Sequence, residues 1–455
     1  MKAAALPKLK IGPRPASHGD HRLAPFDLAL VTLFLLGLYL GVSLQITPKV
    51  PLTCAPSGLA GIILLWRRRD QIEPVHLAGL LGILALYLAS IMSATDYTFL
   101  DKRFTGLVQF AYSLVIAYAL FVTLVNGERS QIAWILLGLC LFIIVGCLLE
   151  NYGGLRVISD KFRERLYDAG QVYDADLRDQ LLYGRVRPKL FTSEPSAVTF
   201  AFTHFCSVWL VVSPWRRKLL VYLALMGCGL FVMPGPTLML MLLLTVPYLL
   251  FLSGGTASTV TRFVGAAALS MILVGAAIVI GQSFFAERLN ELASGKDASF
   301  FYRFTGPMLV AIDVIKRYPW AGAGLTGEPF IADRVLNVYM NSAAFQAAWK
   351  ITRIGDVLTN YFWLHWIYLG LVWGSATLVA ISVWLRKLGV PSVLYCWVVW
   401  VILGQASGSY VGPRTWSVLL IAAATSILSA KSARRQLALM TVYDDPALQF
   451  QYVRA

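Results

Sequence analysis

The residues best suited to chemistry in this sequence lie in a short basic run that ends where a helix is predicted to begin. Arg185, Arg187 and Lys189 are followed by Glu194 and then by Pro195, a residue that fits the first turn of a helix. Free amides at a helix N-terminus attract anions, and arginine binds phosphate groups through paired hydrogen bonds. Glu194 adds a carboxylate that can act as a general base. The run therefore predicts an anion site with a base beside it.

The same run also has a purely structural interpretation. Ser193 or Glu194 can cap the free amides of the helix that Pro195 begins. The basic residues before them can be ordinary solvated loop charges. The sequence leaves both interpretations open.

A second set of cations lies in the longest polar interval of the chain, residues 283–358. It includes Arg288, Arg303, Arg317 and Arg334, and the interval carries nearly as many acidic as basic residues. An anionic ligand would account for these cations, and so would simple solvation of a polar loop. The position of this interval relative to a membrane decides which substrates its cations can reach.

Polar residues also gather where the next apolar segment begins. Asn360 and Tyr361 open that segment, and Tyr361 and His365 share one helix face because they are four residues apart. Arg414 adds charge at the same end, between the last two apolar segments. An ionisable residue inside such a segment is a functional hypothesis by default. A neutral histidine, hydrogen-bonded inside the protein, is the commoner outcome.

The elements that position these residues are predicted to be membrane helices. Hydrophobic residues make up 58% of the chain, charged residues 14%, and the mean hydropathy is +0.66, whereas about a quarter of the residues of a soluble domain are charged. A helix needs roughly 20 apolar residues to cross a bilayer. The candidate segments are 27–46, 52–66, 76–94, 107–125, 132–149, 196–213, 218–233, 236–252, 261–281, 359–384, 391–409 and 413–430. We therefore expect an all-α integral membrane protein with about twelve transmembrane helices.

Clusters of Lys and Arg predict the orientation, because basic short loops stay in the cytoplasm. Such clusters precede the first span and follow the second, sixth, tenth and last spans, so they all fall on one side. The prediction is a basic cytoplasmic tail at 1–26, a polytopic membrane domain at 27–430 and a cytoplasmic tail at 431–455. Two large extracytoplasmic loops are expected at about 150–195 and 283–358. The first span is expected to remain as an anchor.

Each large loop is predicted to contain an amphipathic helix. Residues 161–182 carry an imperfect apolar stripe among acids and bases, and residues 334–350 place apolar side chains on one face. The second helix suits the headgroup region of a membrane. Simple packing of the loop would give the same pattern.

Cysteine and histidine usage predicts no metal site and no cofactor. The six cysteines lie in or beside apolar segments without paired spacing, and the five histidines are scattered. The net charge of +15 arises to a large extent from cytoplasmic anchoring residues. No nucleic-acid-binding motif accompanies it, so nucleic acid is not expected as a partner.

Several short motifs, taken in order, resemble a known family. Arg-X-Arg-Pro at 185–188 and Ser-Glu-Pro-Ser at 193–196 precede a middle span, and Arg303 is followed by a helical stretch, Pro319 and then Gly-Ala-Gly at 322–324. Asn-Tyr at 360–361 and Gly-Leu-Val-Trp-Gly at 370–374 complete the series. Over residues 185–375 the chain resembles the Wzy-type polysaccharide polymerases, which share their architecture with the O-antigen ligases.

The resemblance implies a GT-C-like, metal-independent membrane glycosyltransferase. Such an enzyme joins oligosaccharide repeat units carried on polyprenyl (undecaprenyl) pyrophosphate, at the outer face of the bacterial cytoplasmic membrane. A chain-length regulator and a flippase are expected partners by analogy. The expected pyrophosphate ligands are Arg187, Arg185 and Arg303; the expected base is Glu194 or His365; and the expected glycan-cleft or substrate-binding residues are Lys189, Arg288, Arg317, Arg334, Asn360, Tyr361 and Arg414.

Other functions stay open, including an acyltransferase or another membrane glycosyltransferase, and a purely structural or binding membrane protein. An O-antigen ligase, which transfers glycan from the lipid carrier to lipid A core, would carry a histidine just before Asn360, where this chain has Thr359. A flippase or transporter of lipid-linked sugars would fit the hydropathy, but we find no internal repeat of the kind many transporters show.

The assignment of the arginines leads to a first prediction. Replacing Arg187 or Arg303 by Ala should abolish polymer formation, because arginine neutralises the charge that grows on a pyrophosphate leaving group. The measurement is the amount of polymer in cells that contain normal levels of each variant. Normal polymer from both variants would disprove the assignment.

Overall fold

A computed structural model of the protein describes residues 22–47, 50–93, 97–168, 172–252, 294–344 and 354–444, with isolated positions between 264 and 291. Two short antiparallel strands, β1 (Leu44–Thr47) and β2 (Val50–Leu52), accompany the helices. The helices are α1 (Pro25–Leu40), α2 (Ala55–Arg67), α3 (Pro74–Met92), α4 (Leu100–Asn126), α5 (Arg129–Tyr152), α6 (Arg156–Leu166), α7 (Asp176–Tyr183), α8 (Pro195–Val212), α9 (Lys218–Val232), α10 (Leu240–Pro247), α11 (Ala298–Arg317), α12 (Ala332–Met340), α13 (Tyr361–Lys387), α14 (Val393–Gly404) and α15 (Pro413–Asp444).

The helices confirm an all-α membrane protein. In the described part of the chain, 7 helices are long and apolar enough to cross a membrane, and further apolar helices are shorter. Helices occupy all of the predicted spans except 261–281, which lies largely outside the described residues. One of the 7, α11, was expected to be part of a polar loop. The count of twelve spans and the GT-C architecture stay predictions.

Residues of the predicted basic clusters lie together at one end of the helix bundle. Asp27, near the start of α1, accepts hydrogen bonds from Arg67 Nε at 2.6 Å and Arg68 Nη2 at 2.7 Å, both near the end of α2. At the same end, Lys431 Nζ donates to the Val125 carbonyl at 2.9 Å. Which side of a membrane this end faces stays a prediction, and residues 1–21 and 445–455 lie outside the described residues.

The opposite end, which we call the loop end, joins the first helix to the last. Arg414, in the first turn of α15, donates to the carbonyls of Leu38 at 2.6 Å and Tyr39 at 2.8 Å at the end of α1. The Tyr39 hydroxyl donates to the Leu190 carbonyl at 2.6 Å, in the polar loop before α8. The predicted substrate-binding residue Arg414 is therefore engaged with the backbone of α1.

The first polar loop differs from its prediction. Instead of one helix over 161–182, it forms α6 and α7, separated at Tyr167, whose backbone is extended. The Tyr167 hydroxyl donates to the carbonyls of Leu40 at 2.7 Å and Phe191 at 3.0 Å. This anchoring turns the chain toward the bundle, so a continuous surface helix cannot form. In the second loop, α12 covers the first part of the predicted 334–350 helix, and residues 345–350 lie outside the described residues.

Helix α13 is interrupted at Gly370, where φ is 63° and ψ is −166°. A side chain at this backbone conformation is strongly disfavoured. The interruption leaves the first amides of the second half of the helix without helical partners. The amides of Leu371 and Val372 instead donate to the Pro319 carbonyl at 2.8 and 3.0 Å. A loop segment far away in sequence thus caps the second half of α13.

The same loop segment also pairs with the first half of α13 and with α4. The Ala323 amide donates to the Ile367 carbonyl at 2.8 Å. Arg103, buried near the start of α4, donates from Nη2 to the Ala323 carbonyl at 2.9 Å. The turn after α11 is therefore fixed between two helices of the bundle.

The hydrogen bonds between the turn after α11 and the interruption of α13 lead to a prediction about stability. Gly370→Ala should lower the free energy of unfolding by about 2 kcal/mol or more, because φ is positive and the new Cβ would lie 2.8 Å from the Pro319 carbonyl oxygen and the Gly322 amide nitrogen. The measurement is thermal unfolding in detergent, followed by circular dichroism. The matched control is Gly82→Ala in α3, where no neighbouring atom lies within 4 Å of the new Cβ. Equal unfolding temperatures for the two variants would contradict the prediction.

Candidate functional site

A pocket at the loop end brings together three of the four residues predicted to be catalytic. It holds about 540 Å³ of empty space, including its open mouth, and Arg187, Glu194 and Arg303 all line it. The rest of the lining comes from α7 and the residues near it, from the start of α8, from α11, and from the turn that precedes α10. These residues are Tyr173, Arg178, Asp179, Leu182, Tyr183, Pro195, Ser196, Thr199, Gly235, Pro236, Thr237 and Ser299.

A buried carboxylate fixes the chain between Arg187 and Glu194. Glu150, near the end of α5, accepts hydrogen bonds from the backbone amides of Lys189, at 3.2 Å, and Leu190. Arg163 of α6 pairs with Glu150 across 3.4 Å, and both side chains are almost fully buried. An unpaired buried carboxylate would be costly, so this pairing and the two amides hold one arrangement of the loop.

The turn that follows is held in a conformation that its residues rarely adopt. Leu190 and Phe191 have φ angles of 32° and 64°, which cost energy for side chains other than glycine. The Phe191 amide donates to Ser159 Oγ at 2.9 Å. The Tyr39 hydroxyl donates to the Leu190 carbonyl, and the Tyr167 hydroxyl donates to the Phe191 carbonyl. Surrounding contacts therefore impose the turn that leads to Glu194.

Arg187 is oriented by a second buried carboxylate. Its Nη2 and Nε atoms lie 2.8 and 3.0 Å from Asp179 Oδ1, and its guanidinium carbon lies 4.6 Å from the centre of the Tyr183 ring. Burial lowers the pKa of the guanidinium, but Tyr183 and Asp179 more than offset this and raise it above its ordinary value. Arg187 is therefore a permanently charged group held in one orientation.

Glu194 has a different environment. It stands at the N-cap position of α8 with an extended backbone, and Pro195 occupies the first turn as predicted. The Glu194 side chain makes no capping hydrogen bond, and the residue is exposed. Glu194 lines the pocket, and its side chain is not the helix cap that the structural interpretation offered.

Arg303 is positioned by the start of α13. It lies in a π-helical turn at Phe301–Thr305 of α11, and its carbonyl accepts a hydrogen bond from Asn360 Nδ2 at 2.7 Å. Asn360 Oδ1 accepts from the amides of Phe362 and Trp363, so the same side chain caps α13. Asn360 is fully buried and acts by positioning Arg303.

A larger cavity adjoins the pocket. It holds about 1470 Å³ of empty space, counting the open side. Both cavities are lined by Arg178, Leu182, Ser299 and Arg303, so they adjoin each other, and we call the two together the cleft. Thr359, at the position where ligases would have histidine, lines the larger cavity and donates to the Tyr302 carbonyl at 3.0 Å.

His365 and Tyr361 lie away from the cleft. Nδ1 of His365 is 2.9 Å from the Tyr410 hydroxyl and Nε2 is 3.1 Å from the Gly374 carbonyl, so both ring nitrogens are engaged in the bundle. The Tyr361 hydroxyl donates to the Trp400 carbonyl at 2.8 Å. Both side chains are buried, which matches the alternative of a hydrogen-bonded core histidine.

The remaining predicted cations have separate environments. Lys189 Nζ lies 3.1 Å from Asp176 Oδ1, and Arg334 Nη1 lies 2.8 Å from Asp313 Oδ2. Arg185 lies beside Tyr152 and the Phe231 ring, Arg317 is exposed at the end of α11, and Arg288 lies outside the described residues.

Arg178 is a cleft residue that the sequence did not single out. It is exposed and lines both cavities, and it has no ion pair within the described ranges. In the sequence it is one charge among several acids and bases in the first polar loop. One feature of the sequence could have indicated Arg178: it lies four residues before Leu182, so both residues lie on one face of α7.

Comparisons with known proteins give no further assignment. No family model, no curated protein and no solved structure matches the chain. Within the described ranges, no three His, Cys, Asp or Glu side chains are grouped as metal ligands would be.

The pairing of Arg187 leads to a prediction about stability. Asp179→Asn should lower the free energy of unfolding by about 3 kcal/mol, because it leaves a buried guanidinium without its carboxylate. Thermal unfolding in detergent measures the loss, and exposed Asp174→Asn in the same loop is the control. Adding Arg187→Gln to Asp179→Asn should restore part of the stability. If Asp179→Asn is as stable as Asp174→Asn, the pair of Asp179 and Arg187 does not hold the loop.

Proposed function

We propose that this protein is a membrane glycosyltransferase that polymerises oligosaccharide repeat units carried on polyprenyl pyrophosphate. The observation that carries the proposal is the shared pocket of Arg187, Glu194 and Arg303, which come from two polar loops far apart in sequence. These are the residues that the family resemblance assigns to the reaction. Two arginines and one exposed carboxylate are also the groups that the reaction needs.

The arginines support loss of the pyrophosphate. When the bond between the anomeric carbon and the phosphate oxygen breaks, its electron pair stays on that oxygen. A guanidinium donates paired hydrogen bonds to such an oxyanion and neutralises its growing charge. Arg187 is already oriented by Asp179, so little reorganisation accompanies the step.

Glu194 supports activation of the acceptor. A hydroxyl of the acceptor sugar attacks the anomeric carbon and forms the new glycosidic bond. Its proton passes to the Glu194 carboxylate, which is exposed in the pocket and has no capping hydrogen bond. His365 is not given this role here, because both of its ring nitrogens are engaged away from the cleft.

The place of the reaction is part of the same proposal. The cleft lies at the opposite end of the bundle from the basic clusters, which the positive-inside rule assigns to the cytoplasm. The cleft then opens at the outer face of a bacterial cytoplasmic membrane. A flippase that supplies the lipid-linked unit and a chain-length regulator are the partners this reaction would need.

Reconstitution tests the proposed reaction. The purified protein is incorporated into lipid vesicles with a polyprenyl-pyrophosphate-linked oligosaccharide as the sole substrate, and the products are separated on a gel. A ladder of lipid-linked multimers is the expected result. Transfer only after lipid A core is added would identify a ligase. Movement of the intact donor across the bilayer without any transfer would identify a transporter.

The role of Glu194 gives a quantitative prediction. Glu194→Gln should lower kcat by about 10²- to 10⁴-fold, because a positioned general base contributes a factor of that size. Folding should be unchanged because the side chain is exposed. Exposed Glu164→Gln on α6 is the matched control. Equal rates of ladder formation by the two variants would remove Glu194 from the mechanism.

A further inference from the structure

We infer that the groove between α13 and α14 binds one anionic glycerophospholipid, with an acyl chain along the groove and the phosphate on Arg386. Arg386 lies at the end of the bundle opposite the cleft, in the last turn of α13. The inference does not rest on the proposed function, because it uses only the shape of the groove and its charge.

The groove follows one face of the second half of α13. Its residues on this helix are Leu378, Val379, Ser382, Val383 and Arg386, whose spacing places them on neighbouring turns. The exposed fraction is 63% for Val379 and 50% for Val383, so the described residues leave this face uncovered. From Leu378 to Arg386 the helix rises about 12 Å, which is most of one leaflet of a hydrocarbon core about 30 Å thick.

The facing wall of the groove is formed by α14. Trp397, Trp400 and Val401 contribute to it. Trp397 Nε1 donates to Ser382 Oγ at 2.8 Å, and Ser382 Oγ donates to the Leu378 carbonyl at 2.7 Å. The groove holds about 840 Å³ of empty space, counting its open side. An acyl chain would gain van der Waals contact with both walls, and the polar pair between them is already satisfied.

Arg386 brings a positive charge to one end of this apolar groove. It is exposed, and its guanidinium forms no ion pair or hydrogen bond with any residue that the structure describes. The basic clusters lie at the same end, where the Lys387 carbonyl is 3.3 Å from His76 Nε2 near the start of α3. A guanidinium binds phosphate oxygens through paired hydrogen bonds. The phosphate of a lipid in the adjoining leaflet would therefore lie within reach of Arg386.

Charge selects the occupant of the groove. Acyl chains of every phospholipid surround a membrane protein, so apolar contact alone gives no preference among lipids. A zwitterionic headgroup would bring a second cation beside Arg386, where no described carboxylate lines the groove to receive it. A helix of another protein would bury Arg386 without an anion unless it supplied a carboxylate. Basic pockets between transmembrane helices do bind anionic headgroups.

Native mass spectrometry of the purified full-length protein tests the site without requiring turnover. The probes are phosphatidylglycerol and phosphatidylcholine with identical oleoyl chains, and the measurement is the fraction of protein that carries lipid. The unaltered protein should bind phosphatidylglycerol more tightly. Arg386→Gln should weaken phosphatidylglycerol binding about fivefold or more, because it removes the cation from the headgroup. Val383→Trp should weaken binding of both probes, because the indole fills the path of the acyl chain.

Each variant has a control of the same chemistry on another helix. Arg217→Gln removes an exposed cation at the start of α9, and Leu220→Trp enlarges an exposed apolar side chain on α9. Neither control should change the affinity for either probe.

Three outcomes would overturn the inference. Unchanged phosphatidylglycerol binding by Arg386→Gln and Val383→Trp would show that the groove is not a lipid site. An equal loss in Arg217→Gln would show a general attraction of lipid to the basic end of the bundle. A dimer mass that Val383→Trp removes would identify a second copy of the chain as the occupant of the groove.

Discussion

Backbone groups exposed by the interruption of α13 at Gly370 must be paired inside an apolar bundle, and the geometry of the cleft depends on that pairing. In a bilayer an unpaired amide or carbonyl costs several kcal/mol. The Pro319 and Ala323 backbone groups supply the partners. Because this segment directly follows α11, the same hydrogen bonds hold the helix that carries Arg303. A break in one helix thus positions a charged residue on another.

Two carboxylates of the first polar loop serve opposite purposes because their surroundings differ. Asp179 is buried and paired with Arg187, so its charge is used to orient a cation. Glu194 is exposed at the start of α8, without a capping bond. Of the two, only Glu194 is exposed to solvent. The strained turn between them, fixed by Glu150, keeps the two environments separate.

Hydropathy was sufficient to predict an all-α membrane protein, since burial in lipid selects apolar segments directly, but it did not indicate α11 as a candidate span. The run from Arg187 to Glu194 was also predictable, because helix-start signals are local. For His365 the commoner outcome, a histidine hydrogen-bonded inside the protein, was predictable, but its partners were not, since they arise from a helix break and from the Tyr410 loop. The division of the first loop into α6 and α7 depends on Tyr167 reaching α1. Long-range hydrogen bonds of this kind leave no pattern in the surrounding residues.

The hydrogen bonds between Arg414 and the end of α1 have a consequence for biogenesis. Arg414 lies 376 positions after Leu38 and 375 positions after Tyr39, the two residues whose carbonyls accept its hydrogen bonds. A ribosome must therefore deliver nearly the whole chain to the bilayer before this contact forms. Until then α1 and the loop that packs on it lack their closing partner. Maturation of the cleft is thereby tied to insertion of the last helix, and a chain stopped before it would enter the membrane without a completed loop end.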